Sequence, residues 1–213
     1  MVAMAIPTGI ITCLPDADID DLVAVIEVLV QENLPTFAVH AKHLAELRGI
    51  FGSRAAIGAW RVTDMPSLEA ALDAGAEFVL ADVADRDMVI VSERRQTPFY
   101  TQAMTPLEIR AILELGATGA IMWPTDVVGH IMATRLEEVG LADRVIPMGG
   151  VAAFSAGEWL KRGAPAACVD APLLGDAFEG GDLGKLRDRC GSFRKAIQQA
   201  VAARAGETEG SSN

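Results

Sequence analysis

Short apolar or β-branched runs alternate with longer stretches of helical period along the whole 213-residue chain. Eight runs read as strands: residues 9–14, 35–40, 55–60, 77–81, 98–101, 118–123, 144–148 and 166–170. Between them lie patterns such as DIDDLVAVIEVLVQEN, where Leu22, Val25, Ile26 and Leu29 recur at three- and four-residue spacing behind an acidic first turn. In TPLEIRAILELG, Thr105 can cap, Pro106 suits the first helical position, Glu108 completes a capping box and Gly116 can end the helix. Three segments share one grammar, a helix closing on Gly75, Gly116 or Gly163 followed by alanine and then a strand. A repeated αβ unit with evenly spaced strands predicts a single α/β domain, a (β/α)8 TIM barrel over residues 1–204 with a flexible polar tail at 205–213. An open, doubly wound sheet is the structural alternative.

Composition narrows the partners. The chain is 51% hydrophobic and 22% charged, and charges interrupt every apolar run before the roughly 18 residues of a membrane helix. Its 29 acidic and 18 basic residues give a net charge of -11, which disfavours nucleic acid. Three cysteines, Cys13, Cys168 and Cys190, form no CxxC pair, so a reducing compartment, the cytoplasm, is expected and a disulfide framework or cysteine zinc site is not. His40 and His43 have helix-borne ligand spacing but straddle a strand-to-helix junction without a third ligand nearby; no metal or cofactor is expected. His130 reads as a helix-surface residue.

The segment IPMGGVAAFSAGEWLKRGAPAACVDAPLLG resembles the seventh strand, phosphate loop, seventh helix and eighth strand of the 2-keto-3-deoxy-6-phosphogluconate/4-hydroxy-2-oxoglutarate (KDPG/KHG) aldolases. AIGAWRV is similar to that family's G-A-G-T-V strand, LEAALDAGAEFVLA to the helix and strand after it, and AIMWPTD to the strand carrying K-x-F-P-A. The register runs from about Ile6 to Ala200. The resemblance implies a (β/α)8 barrel assembled as a homotrimer and a carbon–carbon lyase ancestry.

It also implies that the chemistry has changed. The family's Schiff-base lysine lies three residues before the strand-six proline, and here that position is Ile121. The family's proton-handling glutamate on strand two has become Ala38. Where the family has G-T, this chain has Trp60-Arg61, and the strand-eight G-G-S phosphate loop reads Asp170-Ala171-Pro172, which opposes a phosphate and removes a backbone donor.

The remaining candidates can be weighed by residue type. Strand alternation places Ala38, His40 and Lys42 on one face, His40 as a general base and Lys42 as a carboxylate ligand or amine nucleophile; their bland reading is a strand-end histidine and a solvated lysine. Arg61 can fork onto a carboxylate or pair structurally with Asp82 or Asp170. Asp82, Asp126 and Asp170 follow strands, with an N-cap as the alternative for Asp126; the acidic run Pro15 to Asp21 matches a helix dipole. Gly149 and Gly150 form a tight turn or a backbone anion site, and Trp60 and Trp123 would reshape the cavity. Three functions remain open: a barrel binding a small 2-oxo acid or other carboxylate without imine chemistry, an inactive scaffold or regulatory relative, and a lyase using Lys42 as a relocated imine lysine. The last demands a strongly depressed amine and a new proton carrier, for which His40 is the near candidate.

Overall fold

The computed structural model describes residues 6–210, with side chains to residue 205. The first half runs β1 (Gly9–Cys13), α1 (Ile19–Gln31), β2 (Thr36–Val39), α2 (Ala41–Phe51), β3 (Ala56–Val62), α3 (Met65–Asp73), β4 (Val79–Ala81) and α4 (Arg86–Arg94). The second runs β5 (Phe99–Ala103), α5 (Pro106–Glu114), β6 (Gly119–Met122), α6 (Thr125–Val128), α7 (Ile131–Glu138), β7 (Val145–Pro147), α8 (Ala153–Lys161), β8 (Ala166–Val169), α9 (Ala171–Leu174) and α10 (Leu183–Gly210). The polar tail expected from residue 205 lies outside the described side chains; the backbone of α10 reaches Gly210.

All eight expected strands form, and every ladder is parallel, in the order β7-β6-β5-β4-β3-β2-β1-β8. β1 joins the ends of the chain by pairing with both β2 and β8, and β7 lies against β8, so the sheet curls into a nearly closed (β/α)8 barrel rather than an open sheet. Local signals act where they were read. Thr105 and Glu108 make a reciprocal capping box with Pro106 in the first turn, and Gly116 takes φ +97° just beyond the helix. The apolar face of α1, Leu22, Val25, Ile26 and Leu29, is buried. β3 runs two residues beyond its expected end because a bulge at Arg61, in the left-handed region at φ +59°, lets Val62 rejoin the ladder opposite Ala81.

Two apolar layers follow from strand alternation. One side of each strand packs against the helices, with Trp159, Leu44, Phe51 and Leu136 fully buried there. The other side fills the barrel: Ile11, Cys13, Ala38, Phe78, Leu80, Tyr100, Ile121, Ile146, Met148, Ala166 and Cys168, none more than 4% exposed, with Trp60 packed against them. Two glycines make room. A Cβ on Gly58 would overlap the Phe78 ring, and one on Gly119 would meet the Arg144 carbonyl and the Tyr100 ring. The Tyr100 hydroxyl finds no hydrogen-bond partner among the described residues, and burial raises its pKa.

Candidate functional site at the barrel mouth

The polar groups of interest gather at the C-terminal ends of the strands. Ala38 and Ile121, which the resemblance aligns with the glutamate and the lysine, are 0% and 1% exposed and belong to the apolar interior. Above them sits Trp60, whose Nε1 donates to the Leu14 carbonyl at 3.0 Å. The bulge carries Arg61 beyond Trp60, with the guanidinium carbon 5.1 Å from the Trp60 ring centroid and 5.9 Å from that of Trp123. Of the two carboxylates weighed for Arg61, Asp82 is its partner: Nη1 donates to Oδ2 at 3.2 Å. The other Asp82 oxygen accepts from Gln102 Nε2 at 2.7 Å. Sequence reasoning did not single out Gln102, although its spacing of two from inward-facing Tyr100 marks it as a rim residue.

The expectation that Ala38, His40 and Lys42 share a strand face does not hold. β2 ends at Val39, His40 occupies the N-cap position of α2, and Lys42 lies in that helix's first turn. Once the chain turns helical at Ala41, a two-residue period no longer carries a side chain back to the same side. Lys42, with 60% of its side chain exposed, instead pairs with Asp16 at 2.7 Å, and His43 joins the same carboxylate oxygen at 3.0 Å. Hydrogen bonds from Lys42 and then His43 hold the exposed Asp16 carboxyl down at about 2. Because this carboxylate is depressed in the folded state, its contribution to stability is complete above an ordinary pKa of about 3.9 and is lost as pH falls toward 2. In an NMR titration the Asp16 carboxyl should show a midpoint near 2, and Lys42→Ala should move it upward; an unmoved midpoint would mean that this pair does not persist in solution.

His40 stays nearer the mouth, its ring edge-on to Trp60 at 5.7 Å. Burial lowers its pKa, with the Asp16 charge acting in the opposite sense, so the neutral imidazole is favoured at pH 7. The acidic run is divided: Asp20 and Asp21 occupy the first turn of α1, whereas Asp16 serves the ion pair just described. His130 begins α7, its ring 5.2 Å from that of Phe154.

Gly149 and Gly150 adopt φ +92° and +67°, a turn open to glycine, directly before α8, whose N-cap residue Ala152 has no side chain to cap with. A Cβ on Gly150 would lie 2.8 Å from that of Asp126, so a carboxylate stands beside the turn. Asp126 is not the N-cap of α6; Pro124 holds that position. Asp170 does occupy the N-cap position of α9 but makes no capping bond, and Pro172 lies in that helix's first turn. All three cysteines are buried and unbridged, Cys13 and Cys168 both within the inner cluster. A separate cavity of about 590 Å³ lies off the axis between the β3–α3 and β4–α4 loops, where Asp64 and Asp85 are already engaged as helix caps.

A family model described as KDPG and KHG aldolase matches residues 5–187. The chain belongs to the KDPG/KHG aldolase family. Solved structures agree on the fold. Native KDPGal superposes with a TM-score of 0.82 at 18% identity, covering 94% of this chain and 100% of that one. The Legionella pneumophila KDPG aldolase, with pyruvate captured as a covalent carbinolamine intermediate, gives 0.74 at 18% identity over 86% and 92% of the two chains. The 2-keto-3-deoxy-6-phosphogluconate aldolase of Zymomonas mobilis ZM4 with 3-phosphoglycerate gives 0.71 at 19% identity over 89% and 91%. No curated protein matches the sequence.

Proposed function

We propose that this family member binds a small 2-oxo acid or other carboxylate on Arg61 at the barrel mouth and does not perform Schiff-base lyase chemistry. The observation that carries the loss of imine chemistry is the distribution of amines. The chain has four lysines, Lys42, Lys161, Lys185 and Lys195, and every one lies on an outer helix. No strand presents an amine to the interior, and the position of the family lysine is buried hydrocarbon. Lys42 as a relocated imine lysine gains no support from its exposed pairing with Asp16. Carboxylate binding is supported by Arg61 itself: one Nη serves Asp82, the rest of the fork has no hydrogen bond among the described residues, and two indoles brace the guanidinium. Neutral His40 and Gln102 add polar groups at the rim. The filled interior favours the second reading, an inactive scaffold or regulatory relative.

The homotrimer of the family belongs to the same reading. Exposed Met104, Leu107, Trp123, Val127, Ile131 and Phe154 occupy consecutive loops and helix starts after β5, β6 and β7, an apolar face of the kind that copies bury against each other. A cytoplasmic setting accords with three buried free thiols.

Borohydride reduction with pyruvate or 2-oxoglutarate should leave the intact mass unchanged. The same acids should raise the melting temperature of the native protein and not that of Arg61→Gln, and sedimentation should return three copies. A trapped lysine adduct would reinstate imine chemistry, absence of any Arg61-dependent stabilisation would favour the scaffold, and a monomer would remove the trimer.

A further inference from the structure

Three neighbouring strands, β3, β4 and β5, carry one polar chain across the mouth. Arg61 Nη1 donates to Asp82 Oδ2 at 3.2 Å, and Gln102 Nε2 donates to Asp82 Oδ1 at 2.7 Å. Leu80 and Tyr100 are ladder partners that face the interior, and Asp82 and Gln102 follow them by two residues each, so strand alternation brings both polar side chains to the rim of that same face. The two donors end on the two oxygens of a single carboxylate. The guanidinium and the amide are therefore separated by no more than the width of that carboxylate and two hydrogen bonds.

A carboxylate only accepts, so the amide nitrogen of Gln102 is the atom turned to Asp82. Its carbonyl oxygen, Oε1, accepts no hydrogen bond among the described residues. On Arg61 the unengaged groups are N–H donors. Asp82 thus fixes two opposite polarities side by side, a cationic donor from β3 and a neutral acceptor from β5. The ladder sets Ile121 opposite Gln102 on the next strand, so the chain of polar groups ends there on hydrocarbon.

We propose that the ligand of this mouth is a short 2-hydroxy acid, its carboxylate on the free N–H groups of Arg61 and its hydroxyl donating to Gln102 Oε1, which makes Gln102 the specificity-determining residue. The proposal rests on the carboxylate-binding reading and specifies it. A 2-oxo group is an acceptor and would set its lone pairs against Oε1, whereas a 2-hydroxyl can donate to it. A neutral amide oxygen also suits a neutral hydroxyl better than an ammonium, which would prefer a carboxylate. Because the barrel below is packed with side chains, the ligand is held at the rim and is short.

The test is calorimetric titration of the native protein with lactate, pyruvate and alanine, which share three carbons and a carboxylate and differ only at the second carbon. Lactate should bind about tenfold more tightly than pyruvate, the effect of one hydrogen bond made against one acceptor left facing another. Gln102→Met should bring that ratio to about one, and so should Asp82→Ala, which frees the amide to rotate and present its N–H groups instead. Arg61→Gln should lose both acids. Equal, Arg61-dependent binding of lactate and pyruvate would overturn the hydroxy-acid assignment and leave the carboxylate reading standing, and so would alanine binding more tightly than lactate. A lactate preference that survives Gln102→Met, with both acids weakened together, would reduce Gln102 to a prop for Asp82 and overturn its role in specificity. Failure of all three to bind the native protein would sink both this proposal and the reading beneath it.

Discussion

Ile121→Lys should destabilise the barrel at pH 7 by about 3.5–4 kcal/mol more than at pH 10.5, even though it places a lysine where the sequence resemblance aligns the aldolase lysine. Ile121 is 1% exposed and sits in the inner cluster with Tyr100, Leu80 and Ile146. No carboxylate belongs to that cluster, whose β2 member is Ala38. An ammonium there loses its hydration with no compensating charge, which depresses a buried lysine by about 3–5 pKa units. The sign follows: the folded-state pKa lies below the unfolded value of about 10.4, so the penalty vanishes above that pH and grows as pH falls towards the folded pKa. Urea unfolding at the two pH values, with Ile121→Met as the volume-matched control expected to lose less than about 1.5 kcal/mol, reads the effect. Equal stability of the lysine variant at both pH values would mean that water or a charge reaches the interior.

Phe78→Ala should lose about 3–5 kcal/mol, because a large ring leaves a packed interior in which it is 1% exposed. The informative measurement is its coupling to Gly58. Alanine at Gly58 should lose about 1–3 kcal/mol in the native background, since its methyl would overlap the Phe78 ring. In the Phe78→Ala background the same change should be neutral or stabilising, as the methyl then enters the space the ring vacated. Denaturant midpoints for the four proteins complete the cycle. An undiminished loss from Gly58→Ala in the Phe78→Ala protein would show that Gly58 is needed for its backbone rather than to admit the ring.

The alternation of strands and helices, the capping box at Thr105, the helix stop at Gly116 and the buried stripe of α1 were all legible in the sequence. These features depend on residues within a turn or two of each other, where period and capping chemistry act locally. Membership of the aldolase family was legible too, because a family pattern is a string of residue types. Three things were not. The side to which Lys42 turns depends on where β2 gives way to α2, a boundary set by the docking of that helix. The choice of Asp82 over Asp170 by Arg61 depends on a bulge and a ladder register joining separate strands. The closure of the barrel interior depends on side chains from strands far apart in sequence meeting on the axis. Local residue patterns therefore determined the elements and their order, while the pairings that make the mouth distinctive were decided only when the eight strands closed, because charge partners and packing are properties of distance in space and not of distance along the chain.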